Sequence, residues 1–203
     1  MPELPFFCTD NRQKELPMRS NHGKAIGAMI LLISLALPGT VLGCDGCGGN
    51  DYWIFEGEAY SKSSWSIEAT SYLADDAADC SPASAIDGDY TTAWVEGVDG
   101  PGIGESLTLS FGVSTKLWDI ALLPGYFASL ELWVANNRVK KVQITLSDGT
   151  SVTEEFEDVK QGLYVLFSDT HQVEWIRLTI PEVYPGNHWD DTAISEVAIN
   201  TGG

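Results

Sequence analysis

The sequence predicts an all-β domain, a β-sandwich, behind a short export leader and a Gly- and Asp-rich tether. Three observations carry the fold class. Apolar and polar side chains alternate, as where Leu107, Leu109 and Phe111 enclose Thr108 and Ser110, the period of a strand with one buried face. The apolar runs are short, rich in β-branched and aromatic residues, and separated by Gly, Pro, Asp and Asn. No window sustains a helical period. Hydrophobic residues make up 44% and aromatic residues 10% of the 203-residue chain, enough apolar material for one packed core.

From the N-terminus, residues 1–17 carry acids and prolines that do not suit a leader, and Met18 stands where one should begin. Residues 1–17 therefore read as an over-extended gene start. Residues 18–43 read as a signal peptide. Arg19, His22 and Lys24 precede an uncharged run from Ala25 to Leu37, which as a helix would be about 20 Å long against a hydrocarbon core of about 30 Å. That is a leader's length, not a membrane span. The run Val41-Leu42-Gly43-Cys44 is similar to the bacterial lipobox, whose Cys is acylated and becomes the new N-terminus. This implies a bilayer anchor through Cys44 and an extracytoplasmic place at the bacterial cell envelope, since several acyl chains on one residue hold stably. The other reading is an ordinary signal peptide cleaved near a Cys.

Residues 44–60 form the tether, with one apolar island at Tyr52-Trp53-Ile54-Phe55. With Cys8 removed and Cys44 lipidated, Cys47 and Cys80 remain, either as a disulfide or as two unrelated thiols. Residues 61–203 are the domain. Its strand-like runs include Val139 to Leu146, which leads into the hairpin signal Ser147-Asp148-Gly149-Thr150. Leu163 to Phe167, Val173 to Ile180 and Ile194 to Ile199 continue the pattern.

Charge excludes partners. With 29 acidic against 11 basic residues the chain carries −18, so it has no general attraction for phosphate backbones or anionic lipid surfaces, and no nucleic acid is expected as a partner. Removing residues 1–43 takes away four basic and three acidic side chains. The acidity belongs to the exported part.

The densest polar cluster is Ala85-Ile86-Asp87-Gly88-Asp89 followed by Thr92-Ala93-Trp94-Val95-Glu96. An Asp-Gly-Asp turn followed by a Thr supplies closely spaced hard oxygens, the chemistry a Ca²⁺ site needs. A polar surface turn reads the same way. The closing ligands of an EF-hand are missing.

These residues resemble discoidin or coagulation-factor-type C (F5/8 type C) domains, members of the galactose-binding-like superfamily. Six blocks bring the sequence closer to one branch. They are Thr92-Ala93-Trp94-Val95-Glu96-Gly97, Gly102-Ile103-Gly104-Glu105, Gly125-Tyr126, Asn137-Arg138-Val139-Lys140, Val183-Tyr184-Pro185-Gly186 and Asp191-Thr192-Ala193-Ile194-Ser195-Glu196. That branch is the NADase-type glycan-binding domain, the non-catalytic domain beside a streptococcal NAD-glycohydrolase toxin. The resemblance covers roughly Trp65 to Asn200. Pro124 stands where Asn is expected before Gly-Tyr, and Cys80 where an aromatic is usual before Ser-Pro.

The resemblance implies a discoidin-like jelly-roll and a structural calcium held by the side chains of Asp87 and Thr92, the carbonyl of Asp89 and the carboxylate of Glu196. It also implies glycan binding. Sugars are met by aromatic faces and planar polar groups, and the candidates are Trp94, Glu96, Tyr126, Arg138, Tyr184, His188 and Trp189. Trp94, Trp118 and Trp175 lie in strand-like runs that favour core positions. Tyr126, Tyr184, His188 and Trp189 lie in turns. Arg138 and Glu96 could equally form structural ion pairs, and Trp133 could sit at a rim or cap a hairpin.

The leading functional expectation is a lipid-anchored, non-catalytic glycan-binding module. The second is a structural or protein-interaction lipoprotein, with a cell-envelope protein as partner. The third is a hydrolase built on two of the abundant carboxylates. No nucleophile signature supports the third.

Overall fold

The computed structural model describes residues 65–75 and 78–201. Among the described residues nine strands form in chain order: β1 (Ser66–Ala69), β2 (Ala74–Asp75), β3 (Ala78–Asp79), β4 (Trp94–Val95), β5 (Ser106–Pro124), β6 (Asn137–Leu146), β7 (Ser151–Glu155), β8 (Leu163–Tyr184) and β9 (Thr192–Asn200). One short helix, α1 (Leu130–Ala135), lies between β5 and β6. It is capped by the Ser129 hydroxyl, which accepts the Leu132 N–H at 3.0 Å. β2 and β3 make a hairpin of their own.

The other strands join in the order β1-β5-β8-β6-β9-β4, with β7 on the far side of β6 and β5 also paired to β9. β5, β8, β6 and β9 thus close a ring. The long β5 and β8 serve both layers, because their ladder breaks register between Ser110 and Thr115 and again between Leu117 and Asp119. Bulges of this kind bend a strand enough to pass it from one sheet to the next. Gly112, at φ 75°, stands in the first break, where a side chain would be strained.

The expected β-sandwich is present, and its periodicity holds. Leu107, Leu109 and Phe111 are all buried, together with Leu117, Ile120, Leu122, Val142, Ile144, Ile176 and Leu178, in one continuous core. Trp94 is fully enclosed there, as a strand position favours. The hairpin at Ser147–Thr150 joins β6 to β7, closed by the Leu146 N–H on Thr150 O at 2.8 Å.

Two tryptophans depart from expectation. Trp118 is 45% exposed. It stands at the second break in the β5–β8 ladder, with the Lys116 ammonium 4.6 Å from its ring centroid. Trp133, expected at a rim or hairpin, is buried on α1 and donates its indole N–H to Pro124 O at 3.3 Å.

Cys80 is buried and disulfide-bonded. Cys47, its expected partner, lies outside the described residues, as do the leader, Cys44 and the apolar island of the tether. Among the described residues, no helix is long and apolar enough to cross a membrane.

Candidate functional site

Two constellations stand near the entries of β4 and β9, which pair antiparallel through Trp94–Ile194 and Val95–Ala193. The first is the Asp-Gly-Asp turn. The Thr92 hydroxyl lies 2.8 Å from Asp87 Oδ2, 2.7 Å from Asp89 O and 3.3 Å from Ser84 O. A hydroxyl has one proton and can satisfy one of those acceptors well. Glu196, 3% exposed, enters from β9 and accepts the Gly88 N–H at 3.1 Å through Oε2. Its Oε1 is buried with no partner.

Burial pushes the Glu196 carboxyl up to about 8, helped by the Asp87 carboxylate. Asp87 is raised in turn, chiefly by desolvation. An excess of acceptors over donors, with one carboxylate oxygen orphaned, is the environment a hard cation relieves. Among the described residues no three His, Cys, Asp or Glu side chains could hold a metal by themselves. The donor set here instead mixes carboxylates with carbonyl and hydroxyl oxygens, which suits Ca²⁺ better than a softer ion. Sequence reasoning named Asp87, Asp89, Thr92 and Glu196 and missed the Ser84 carbonyl, since a backbone oxygen leaves no signature.

The second constellation holds the glycan candidates, and several of those expectations are corrected. Trp94, Glu96 and Tyr126 are fully buried and have no surface to offer a sugar. Trp94 donates its indole N–H to Ser71 O at 2.9 Å. Tyr126 packs with Cys80, Ala93, Val95 and Ala193.

Glu96 binds two backbone N–H groups, Thr192 at 3.2 Å through Oε1 and Val98 at 2.9 Å through Oε2. Burial, with Asp191 and Glu105 as further anionic neighbours, raises its carboxyl to about 7. Arg138 is buried as well. It makes a two-pronged pair with Asp158 at 2.9 and 2.7 Å and donates to Asn136 O and Pro185 O, with its guanidinium 4.8 Å from the Trp133 ring centroid. The structural ion pair is therefore realised for Arg138, whereas Glu96 pairs with backbone. Tyr184 is half-buried and donates its hydroxyl to Phe156 O at 2.9 Å.

His188 and Trp189 remain. His188 is exposed and Trp189 half-buried, with ring centroids 4.5 Å apart and planes at 87°. Their loop is held from below. The N–H groups of both residues reach Ala135 O at the end of α1, and Asn137 accepts the Gly186 N–H at 2.6 Å and donates to Asp190 O at 2.8 Å. A Cβ at Gly186 would come within 2.3 Å of Ala135 O, so the Tyr-Pro-Gly turn requires glycine there. Tyr72, 53% exposed, is an aromatic that sequence reasoning missed. Nothing in a lone Tyr after Ser71 announces it.

Fold and loops together define a discoidin-like, galactose-binding-like β-sandwich module. The chain belongs to the NAD glycohydrolase translocation F5/8 type C domain family, whose model matches residues 59–200. No functionally curated protein matches the sequence. Solved structures share the fold. A family 32 carbohydrate-binding module from Clostridium perfringens NanJ, solved with galactose, is 24% identical with a TM-score of 0.54, over 68% of this chain and 93% of that one. Module CBM32-3 of a Clostridium perfringens family 31 glycoside hydrolase is 18% identical, with a TM-score of 0.56 over 72% and 96%. A Ruminococcus gnavus GH29 fucosidase solved with fucose matches over 73% of this chain and 27% of its own, at 15% identity and a TM-score of 0.53. The fold thus occurs both in separate binding modules and as a part of glycoside hydrolases.

Proposed function

We propose that this protein is a lipid-anchored, non-catalytic glycan-binding module of the bacterial cell envelope, with His188 and Trp189 at its ligand-contacting surface. The observation that carries the reading is the aromatic pair on a loop fastened from below by Asn137 and Ala135. A pre-positioned aromatic face covers sugar C–H groups at low ordering cost. The family and the sugar-bound neighbours support it, and Cys44 would supply the anchor. Catalysis finds no support in the two carboxyls raised furthest. Glu96 and Glu196 are enclosed, and both are committed to backbone N–H groups.

Calcium belongs to the proposal. Ser84, Asp87, Asp89, Thr92 and Glu196 would hold it, and when bound it would brace the turn against β9 and do no chemistry.

The test is a glycan array probed with the protein, with and without calcium. Saturable binding to a defined set, lost in Trp189→Ala, supports the reading. Silence across diverse glycans from folded protein moves the choice to a protein-interaction module on the same sandwich, for which Val113, Trp118 and Leu166 supply exposed apolar side chains.

A further inference from the structure

Tyr72, Val98 and Ile103 are exposed apolar side chains carried by two segments that are stitched together. Tyr72 lies between β1 and β2, and Val98 and Ile103 lie between β4 and β5. The Gly97 N–H donates to the Ser71 hydroxyl oxygen at 3.0 Å, and a Cβ at Gly97 would come within 2.3 Å of Tyr72 O. The Thr70 hydroxyl donates to Glu105 Oε2 at 2.7 Å, and the Ser71 hydroxyl donates to the same oxygen.

The second segment is also held from beneath. Glu96 accepts the Val98 N–H at 2.9 Å and the Thr192 N–H at 3.2 Å, and a Cβ at Gly102 would stand 2.5 Å from its Cγ. The Thr192 hydroxyl donates to Pro101 O at 2.8 Å. The three apolar side chains therefore face water from a backbone tied at several points. A surface fixed in advance loses little freedom when a partner covers it.

Composition and charge select the partner. Sugars are met by aromatic faces and planar polar groups, and the aliphatic side chains of Val98 and Ile103 offer neither. A Tyr beside apolar neighbours is the make-up of a protein interface core. Around it stand carboxylates, with Asp99 exposed and Glu105 half-buried. Residues 65–115 contain no Lys, Arg or His, and residues 178–203 contain no Lys or Arg. The exposed Trp118 elsewhere on the sandwich differs, because the Lys116 ammonium lies 4.6 Å from its ring centroid. An apolar centre with an uncompensated acidic rim attracts a basic rim and repels anionic lipid and acidic proteins.

We propose that Tyr72, Val98 and Ile103 form a docking surface for a protein whose contact face sets an apolar anchor inside a ring of Lys and Arg. The surface uses neither His188 nor Trp189, so it does not rest on the glycan reading.

A phage library of random short peptides, selected on the full chain and counter-selected on the same chain carrying Tyr72→Ser with Ile103→Ser, tests it. Peptides specific to the wild type should carry an aromatic or aliphatic anchor flanked by Lys and Arg. Made synthetically, they should bind about tenfold or more weaker to either single variant. Asp99→Lys should weaken them severalfold and flatten their salt dependence, while Trp118→Ser and Trp189→Ala should change nothing. Both substituted serines replace exposed side chains, and a melt confirms that each variant is folded. Enriched peptides that bind the double variant equally well report general acidity alone and overturn the proposal, as does a selection with no wild-type-specific peptide. A glycan-array signal lost in Tyr72→Ser and Ile103→Ser, with no such peptide found, assigns the surface to sugar instead.

Discussion

Glu196 reaches across 108 residues of chain to accept the backbone N–H of Gly88 at 3.1 Å, so the last strand of the domain closes its first polar turn. Its other oxygen is buried without a partner. Cation binding would satisfy that oxygen and the surplus acceptors around Thr92. Adding Ca²⁺ to EDTA-stripped protein should therefore raise the melting temperature. At a hundredfold excess over the dissociation constant the gain is about 2.7 kcal/mol. Glu196→Gln and Asp87→Asn should each lose most of that rise, and a wild-type melt unmoved by Ca²⁺ would remove the metal from the account.

Without metal, acidity should stabilise the fold. Glu96 and Glu196 have carboxyls raised to about 7 and about 8 from an ordinary 4.5. Between those values the folded state holds more protons than the unfolded one, so stability falls as pH rises. The metal-free protein should melt higher at about pH 5.5 than at about pH 8.5. Calcium, which needs Glu196 ionised, should shrink the difference. Further acidification reverses the trend, because Glu182 is held down to about 2 by Lys140 and Lys141. Thermal melts over this range check the sign.

Arg138 should matter to stability rather than to ligand. Arg138→Met removes a buried guanidinium that serves Asp158, Asn136 O and Pro185 O. Asp158 is 38% exposed by its side chain and can take water, so the cost falls mainly on the two carbonyls and on packing against Trp133. Urea unfolding should show a loss of about 2 to 3 kcal/mol.

The tryptophans should separate binding from folding. Trp94→Ala empties a fully buried site and should cost about 3 to 5 kcal/mol. Trp189→Ala should leave the urea midpoint nearly in place and weaken glycan binding, and His188→Ala should do the same to a smaller degree. A Trp189→Ala protein that binds the same glycans with equal affinity would remove this loop from the contact surface.

Much of the fold was legible because its signals are local. Alternation in Leu107-Thr108-Leu109 marks a half-buried strand, Asp148-Gly149 marks a hairpin, and Asp87-Gly88-Asp89 marks a tight oxygen-rich turn. The site was less legible because exposure is not a local property. Tyr126 has turn-like neighbours, yet it is enclosed because Cys80, Val95 and Ala193 converge on it. Trp118 has strand-like neighbours, yet it is exposed at a break in the ladder.

By itself the sequence determined an all-β chain, the residues of each strand that share a face, and an acidic domain carrying an Asp-Gly-Asp turn. Tertiary structure alone decided which faces are covered, and with them the fate of the family blocks. It made Glu96 a buried link between loops and Arg138 an ion-paired brace, and it left His188 exposed and Trp189 half-buried. A period of two assigns side chains to faces, but which face meets water depends on strands far apart in the chain. The pairing of β4 with β9, across about a hundred residues, made that decision here.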